Sequence, residues 1–510
     1  LLHGVTGSGK TEVYMELIAR TVAQQRQAIV LIPEISLTYQ TVMRFYRRFG
    51  ERISIIHSRL SAGEKYDQFQ RAKNGDIDIM IGPRSALFTP FSRLGLIIID
   101  EEHEPSYKSE TTPRYHARET AIERAKLEGA KVVLGSATPS LEAYYRAEKG
   151  EYALYTMRKR ARGNALPDVK IVDMREELRN GNRSVISQSL KEAMTEKLQA
   201  KEQMMLFLNR RGYAGFLSCR SCGHVVMCPH CDVSLSVHNH GRMICHYCGY
   251  ETKKPVVCPK CSSTFISTFG TGTQQVEQVV KKMFPEAGVL RMDMDTTREK
   301  DGHEKILSAF QNQEADILIG TQMIVKGHDF PNVTLVGILA ADLSLYAQDY
   351  KAGERTFQLL TQAAGRAGRG EKSGNVIIQS YDPEHYCITA ASRQDYCGFY
   401  EEEMSYRLLA GYPPAVYMMS LHGTGKDEAH LQTAMDYLVK MIQRMPESAR
   451  IRVLGPTTES IGKIQDEYRK VIYMKGEDLQ ILTGIKNKLE KYIEMNEGYR
   501  TVQIQFDLEN

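Results

Sequence analysis

The chain has 510 residues, 42% of them hydrophobic and 25% charged, with a formal net charge of +4. That length calls for about three or four domains, each with its own core. The composition is that of an ordinary globular protein, no apolar run approaches membrane-spanning length, and the charge is too small to imply nucleic acid by itself.

Gly4-Val5-Thr6-Gly7-Ser8-Gly9-Lys10-Thr11 reads G-x-x-x-x-G-K-T, a phosphate-binding loop. Leu1-Leu2-His3 fits the end of a strand, and residues 12–18 carry apolar side chains at helical spacing, which is the setting this loop needs. Its glycines let successive N–H groups turn inward as an anion nest, and the helix presents its positive end to the same phosphates. Lys10 is expected to reach the β- and γ-phosphates, and the Thr11 hydroxyl to hold Mg²⁺. A parallel sheet rarely opens on such a loop, so further N-terminal sequence is expected. The basic clusters Arg44/Arg47/Arg48 and Arg158-Lys159-Arg160 with Arg162 are explained at least as well by a solvated surface as by a ligand.

Residues 28–33, 78–82, 94–99 and 132–135 read as strands alternating with helical segments, the pattern of an α/β domain with a parallel sheet. Ligands gather at the carboxyl ends of such strands, so the loop residues Ser36, Thr38, Arg84 and Ser85 suit backbone phosphates of an extended polymer, although a plain turn explains any one of them equally well. The strand 94–99 runs into Asp100-Glu101-Glu102-His103. That order puts Asp100 near the Mg²⁺ shell, through water, and Glu101 where it can polarise an attacking water. Val132-Val133-Leu134-Gly135-Ser136-Ala137-Thr138-Pro139 ends in Ser-Ala-Thr.

A second α/β series opens at 203–213 and continues through Asp316-Ile317-Leu318-Ile319-Gly320-Thr321-Gln322 and Lys326-Gly327-His328-Asp329-Phe330. Residues 359–370 then read L-L-T-Q-A-A-G-R-A-G-R-G, which contains Q-x-x-G-R-x-G-R. A planar, permanently charged guanidinium neutralises charge on a transferring phosphoryl group, so Gln362, Arg366 and Arg369 are candidate catalytic residues.

Eight of the ten cysteines form four Cys-x-x-Cys pairs: Cys219/Cys222, Cys228/Cys231, Cys245/Cys248 and Cys258/Cys261. Two thiolates three residues apart grip one tetrahedral ion, so four pairs imply two Cys₄ zinc sites. The same ligands suit an iron–sulfur cluster or, in an oxidising setting, disulfides. The shortest separation joins 228/231 to 245/248 and leaves 219/222 for 258/261, one site nested inside the other. His224, His230, His240 and His246 lie nearby, but the thiolates complete the ligand count. Cys387 and Cys397 are unpaired by spacing. Beyond residue 400, strands near 416–423, 451–454, 468–474 and 501–507 alternate with helical patterns over 429–444 and 478–495, which suggests a split βαβ domain.

G-S-G-K-T, D-E-E-H, S-A-T and Q-A-A-G-R-A-G-R in this order resemble the motifs of superfamily 2 helicases. The zinc module placed after F-L-N-R-R-G-Y, together with I-G-P-R-S-A and A-G-E-R-T-F-Q, resembles the bacterial replication-restart helicase family. The resemblance implies two RecA-like α/β lobes, 1–155 and 202–385, joined by a linker over 156–201. It further implies a zinc-binding insertion at 217–263 and a small C-terminal α+β domain at 400–510. It puts Gly4 to Thr11 and Asp329 at ATP, Gly320-Thr321-Gln322 at DNA phosphates, and makes 105–118 an aromatic-rich loop touching the strand. The implied activity is ATP-dependent 3′-to-5′ DNA unwinding at stalled or branched forks, followed by primosome assembly and reloading of the replicative helicase. Implied partners are single-stranded and forked DNA, single-stranded DNA-binding protein and other primosome proteins, with a monomer in the bacterial cytoplasm at the nucleoid and no membrane. The family's N-terminal DNA-binding and adenine-reading segments have no counterpart in these residues, so weaker and less base-selective ATP binding is expected. The rival readings are a primosome scaffold whose motor is dispensable, and a duplex translocase or RNA helicase of the same superfamily.

Overall fold

The computed structural model describes residues 1–33, 39–161, 166–209, 216–229, 234–238, 242–245, 248–268, 272–293, 296–297, 302–325, 330–347, 349–370 and 372–509. Seven parallel strands form the first sheet, in the order Ile53–Ile55, Ile79–Gly82, Gln27–Leu31, Leu94–Asp100, Lys131–Ser136, Leu2–Gly4 and Tyr155–Met157. Its apolar runs are buried on both faces, as a helix-covered parallel sheet requires. Ile97 and Ile99 feed one core, while Leu96 and Ile98, pointing the other way, feed a second.

The second sheet is also parallel, ordered Val289–Met292, Ile317–Gly320, Gln203–Leu208, Val333–Leu339, Asn375–Ser380 and Asp168–Asp173. Met205 and Phe207 pack to one side, Met204, Leu206 and Leu208 to the other. Two expected boundaries differ. The segment 156–201 is not a linker. Its first residues complete the edge strand Tyr155–Met157 of the first sheet, and Asp168–Asp173 lies in register along Asn375–Ser380 from Asp168↔Asn375 to Asp173↔Ser380. After the short helix Met174–Arg179, the helix Gln188–Gln199 buries Leu190 and Met194 in the second core. At the far end, the helices Tyr386–Arg393 and Tyr396–Ala410 bury Cys387, Ile388, Phe399 and Met404 in that lobe's core, so the lobe runs past residue 400. Cys397 is exposed.

The C-terminal part has strand–helix–strand–strand–helix–strand order: Tyr417–Gly425, Glu428–Arg444, Ile451–Ile464, Glu467–Gly476, Leu479–Met495 and Val502–Glu509. Its antiparallel sheet is ordered second, third, first, fourth strand, the split βαβ arrangement. Asp427 and Asp478 cap the two helices, accepting from His430 N at 3.0 Å and Gln480 N at 2.8 Å. Met419 and Leu421 point into the helix-covered core. Ser420 and Asp507, paired across the ladder, lie on the opposite face. No helix among the described residues is long and apolar enough to cross a membrane.

The two lobes are bound by a buried polar cluster. Leu141 N donates to Glu354 Oε1 at 3.0 Å, Arg407 reaches Glu354 Oε2 at 3.1 Å and Glu403 Oε1 at 2.8 Å, and Lys351 meets Glu142 at 2.7 Å. Beside it Tyr144 and Tyr396 pack edge-on at 4.9 Å, and Tyr400 donates to Glu148 at 2.8 Å. Burial, then the charge of Glu142, holds the Glu354 carboxyl up at about 7.

Candidate nucleotide site and metal centres

The phosphate loop closes because Gly7 and Gly9 adopt left-handed backbone, φ 80° and 91°, which side chains resist. The helix Lys10–Ala23 then starts with its N–H groups facing the loop. Lys10 is buried, and its ammonium donates to Gly4 O at 2.7 Å, folded back across the loop. Thr11 is the second residue of the helix. Val5 N donates to Met157 O at 3.1 Å and Ser8 N to Val5 O at 3.0 Å, so the rim is stitched by backbone.

One strand separates this loop from the end of Leu94–Asp100. Asp100 accepts from Tyr14 OH at 3.0 Å, and its carbonyl accepts from Tyr107 OH at 2.7 Å. Burial, then the adjacent Glu101 carboxylate, lifts Asp100 to about 6. A bound cation would reverse that penalty, which fits a metal-facing carboxylate. Glu101 has φ 48°, and its Oε2 is buried without a hydrogen-bond partner among the described residues, 3.7 Å from His103 Nδ1. An acceptor held in that state suits a water-activating base. Glu102 is turned elsewhere: it takes Arg118 at 3.2 Å, Ser140 N at 2.7 Å and Ser140 Oγ at 3.0 Å.

His103 joins the lobes. Its Nδ1 lies 2.6 Å from Ser136 Oγ, and its Nε2 lies 2.7 Å from Gln362 Nε2 at the end of the helix Ala352–Ala364. With the Gln362 amide donating, the ring carries its proton on Nδ1 and donates to Ser136. The turn bearing Arg366 and Arg369 starts against the phosphate loop: a Cβ added to Gly365 would sit 3.1 Å from Thr6 Oγ1. Arg369 Nε donates to Gly365 O at 2.9 Å. Asp329, Ser36, Thr38 and Arg162 lie outside the described residues, Gln322 is buried, and Ser85 is exposed.

Sequence reasoning gave His103 and Tyr14 no role. The signal for Tyr14 was its place four residues beyond Lys10, on the same helix face. Gly135 makes its reach possible, since a Cβ there would fall 1.7 Å from Tyr14 OH.

The segment 105–118, expected as an aromatic-rich loop touching the strand, makes contacts within the chain. Tyr107 is buried, and Arg84 donates to Ser106 O at 3.1 Å and to Lys108 O. Lys108 Nζ meets Asp507 Oδ1 at 2.5 Å and Leu508 O at 2.9 Å, while Arg114 reaches Asp507 Oδ2 at 3.1 Å and Gln505 Oε1 at 3.0 Å. The loop's cations are thus held by the last strand of the C-terminal sheet, because two carboxylate oxygens there match both of them.

In the cysteine-rich module, Ser236–His238, Arg242–Ile244 and Glu251–Lys253 form one small sheet, and Leu217–Cys219 pairs with Ile266–Thr268. The sulfurs of Cys219, Cys222, Cys258 and Cys261 lie within 4.8 Å of one another, with Cys219–Cys261 and Cys222–Cys258 both at 3.6 Å. A zinc ion with bonds near 2.3 Å needs sulfurs about 3.8 Å apart, so this set fits. Cys228, Cys245 and Cys248 form the second cluster; Cys231, like His230, His240 and His246, lies outside the described residues. Three knuckles share one turn, Gly223 N to Cys219 O, Gly249 N to Cys245 O and Ser262 N to Cys258 O at 2.8–2.9 Å, each donor having positive φ. Burial pushes the Cys222 thiol up to about 12, whereas at Cys258 burial is outweighed by the N–H groups of Cys261 and Lys260, which bring it to about 7.

Four family profiles match the chain: DEAD/DEAH box helicase over residues 1–146, helicase conserved C-terminal domain over 262–371, PriA DNA helicase Cys-rich region domain over 228–253, and primosomal protein N C-terminal domain over 409–509. Among curated relatives, replication restart protein PriA of Bacillus subtilis is 49% identical over 100% of this chain and 63% of its own length. The Haemophilus influenzae protein is 40% identical over 92% of this chain and 64% of its own, and that of Rickettsia felis 38% over 97% and 74%. The chain thus spans about six tenths of the Bacillus subtilis and Haemophilus influenzae relatives. Among solved structures, RecG bound to a three-way DNA junction is 15% identical, with 80% of this chain and 46% of that one covered at a TM-score of 0.43. With two helicase lobes, a cysteine-rich zinc-binding module and the split βαβ C-terminal part in one chain, and a relative 38% identical over 74% of that relative's length, the chain belongs to the PriA family of replication restart proteins.

Proposed function

We propose that the chain is an ATP-dependent 3′-to-5′ DNA helicase that binds and remodels stalled or branched forks and starts replication restart by assembling the primosome and reloading the replicative helicase. The observation that carries the motor reading is the approach of Gly365 and Gln362, from the second lobe, to Thr6 and His103 in the first. A nucleotide in the loop is therefore flanked by groups from both lobes. In this reading residues 1–157 form the first lobe and 168–410 the second, with the zinc module at 217–263, and 417–509 form the C-terminal domain.

Lys10 holds the β- and γ-phosphates, Thr11 and Asp100 face Mg²⁺, and Glu101 takes a proton from the attacking water. Gln362, Arg366 and Arg369 bear on the transferring phosphoryl, with Asp329 near the nucleotide. Magnesium, when bound, shields charge on the phosphate oxygens. ATP binding draws the lobes together and hydrolysis releases them, so each cycle advances a DNA strand across both. Two zinc ions hold the cysteine module in shape. Partners are forked and single-stranded DNA, single-stranded DNA-binding protein and other primosome proteins, for a monomer in the cytoplasm at the nucleoid.

Lys10→Ala tests the reading: DNA-stimulated ATP hydrolysis and fork unwinding should both be lost, with thermal melting and zinc content unchanged. Retained hydrolysis overturns it, and retained replicative-helicase loading without hydrolysis favours the scaffold reading. Strand displacement on matched DNA and RNA forks separates it from an RNA helicase.

A further inference from the structure

We infer that Arg160 is a third arginine of the nucleotide site, contributed by the first lobe and contacting the polyphosphate; this deepens the ATP reading above and rests on it.

Read as sequence, Arg158-Lys159-Arg160 is a basic cluster that a solvated surface explains at least as well as a ligand does. In the fold Arg158 and Lys159 are exposed, whereas Arg160 is half-buried and turned to the phosphate loop. The strand Tyr155–Met157 runs beside Leu2–Gly4, and two backbone hydrogen bonds fasten its C-terminal end and residues 158–161 to the loop: Val5 N to Met157 O at 3.1 Å, and Ala161 N to Gly7 O at 3.0 Å. A Cβ added to Gly7 would sit 3.8 Å from Arg160 Cγ, and one on Gly9 would sit 3.6 Å from Ala161 Cβ. The arginine stem therefore lies beside the rim of the anion nest, with room for about a methyl group between it and Gly7.

Its head points across to the other lobe. Arg160 Nη1 donates to Gly368 O at 3.4 Å, on the turn between Arg366 and Arg369. Burial, then the charge of Arg369, depresses Arg160 below the ordinary arginine range, so the two guanidiniums are close enough to repel. Two such cations at the mouth of an N–H nest, beside the buried Lys10, make a site of concentrated positive charge, and a polyphosphate is the anion whose charge and oxygen geometry answer it. A 3.4 Å bond to a carbonyl is long for a guanidinium, and a phosphate oxygen competes for the donor with ease. Arg160 moves with the first lobe, so its phosphate contact does not wait for lobe closure as those of Arg366 and Arg369 do.

The test is titration of the full chain with fluorescent ATP and ADP analogues, alongside steady-state hydrolysis. Arg160→Ala should weaken binding of the triphosphate probe about tenfold or more, the expectation for one charge-assisted contact, and raise KM for ATP more than it lowers kcat. Arg160→Lys should recover part of the affinity, and Arg158→Ala, on the exposed side of the same segment, should bind as the unsubstituted chain does. Melting without nucleotide checks folding, and Arg160→Gln serves if the alanine variant is unstable. Unchanged affinity in Arg160→Ala with a fallen kcat would make the residue a strut between lobes and overturn the inference. Failure of the unsubstituted chain to bind either probe would overturn the ATP reading, and this with it.

Discussion

His103 Nε2 and Gln362 Nε2 meet at 2.7 Å although 259 residues separate them, and the other ring nitrogen rests on Ser136 Oγ at 2.6 Å. One imidazole thus spans the acidic motif, the Ser-Ala-Thr strand and the arginine turn. Gln362→Ala should leave ATP binding within about twofold of normal while lowering DNA-stimulated kcat about tenfold or more, because it removes a contact between the lobes and a group that bears on the phosphoryl only as it transfers. Equal losses in affinity and kcat would contradict that, and parallel binding and hydrolysis assays decide.

Tyr14 and Gly135 form a second dependency. Gly135→Ala puts a methyl where Tyr14 OH stands and should cost about 2–3 kcal/mol through the forced shift. Tyr14→Phe, which keeps the volume, should cost about 1 kcal/mol and change the metal dependence of hydrolysis, since Asp100 loses its 3.0 Å donor. Urea melts and Mg²⁺ titrations of the two variants measure these effects.

The lobe interface should be sensitive to pH. Glu354 sits at about 7, above the ordinary carboxyl value of 4.5, because of burial first and Glu142 second. A carboxyl raised on folding binds its proton more tightly in the folded chain. Its contribution is therefore complete below about 4.5 and is lost as pH rises through about 7. Stability should fall over that window by no more than about 3 kcal/mol, and Glu354→Gln should flatten the slope. Denaturant melts at about pH 4 and about pH 8, on either side of that window, give the comparison.

Asp507 holds Lys108 and Arg114 together, with its own side chain 10% exposed. Asp507→Ala strands two cations in a half-buried place and should cost about 2 kcal/mol locally. Trypsin cleavage after Lys108 and Arg114 should accelerate at least about tenfold while cleavage elsewhere stays unchanged.

Removing a knuckle should remove an ion. Cys258→Ser is expected to lower bound zinc from two per chain to about one and to loosen 217–263 without unfolding either lobe. Metal analysis and amide exchange over that segment check both parts.

Much of this was legible in sequence because it is local or periodic. The run 96–99 could only be a buried strand, the C-x-x-C pairs carry their own turn, and the tail shows six elements in the order found. The misjudged parts depend on pairing. Asp168–Asp173 alternates Val169 and Ile171 with Asp168 and Lys170, an edge-strand pattern that becomes visible only beside Asn375–Ser380. Arg160 looked like its exposed neighbours, and only the fold shows which of the basic residues turns inward. Asp507 carries no motif, since its meaning lies in the loop it meets far away in the chain.

The strand that leads into the phosphate loop is paired through Leu2 with Gly135 on one side and Tyr155 on the other. Both neighbours leave the ribosome long after the loop itself. A nascent chain therefore carries its glycines and Lys10 as a segment without its full set of anchors until Met157 has emerged and can accept from Val5 N. Closing so large a loop is slow relative to local structure. The nucleotide grip should be among the last features of the first lobe to form, and a ribosome-stalled series that ends far enough beyond residue 157 to hold it inside or outside the exit tunnel should show the grip arriving in a single step.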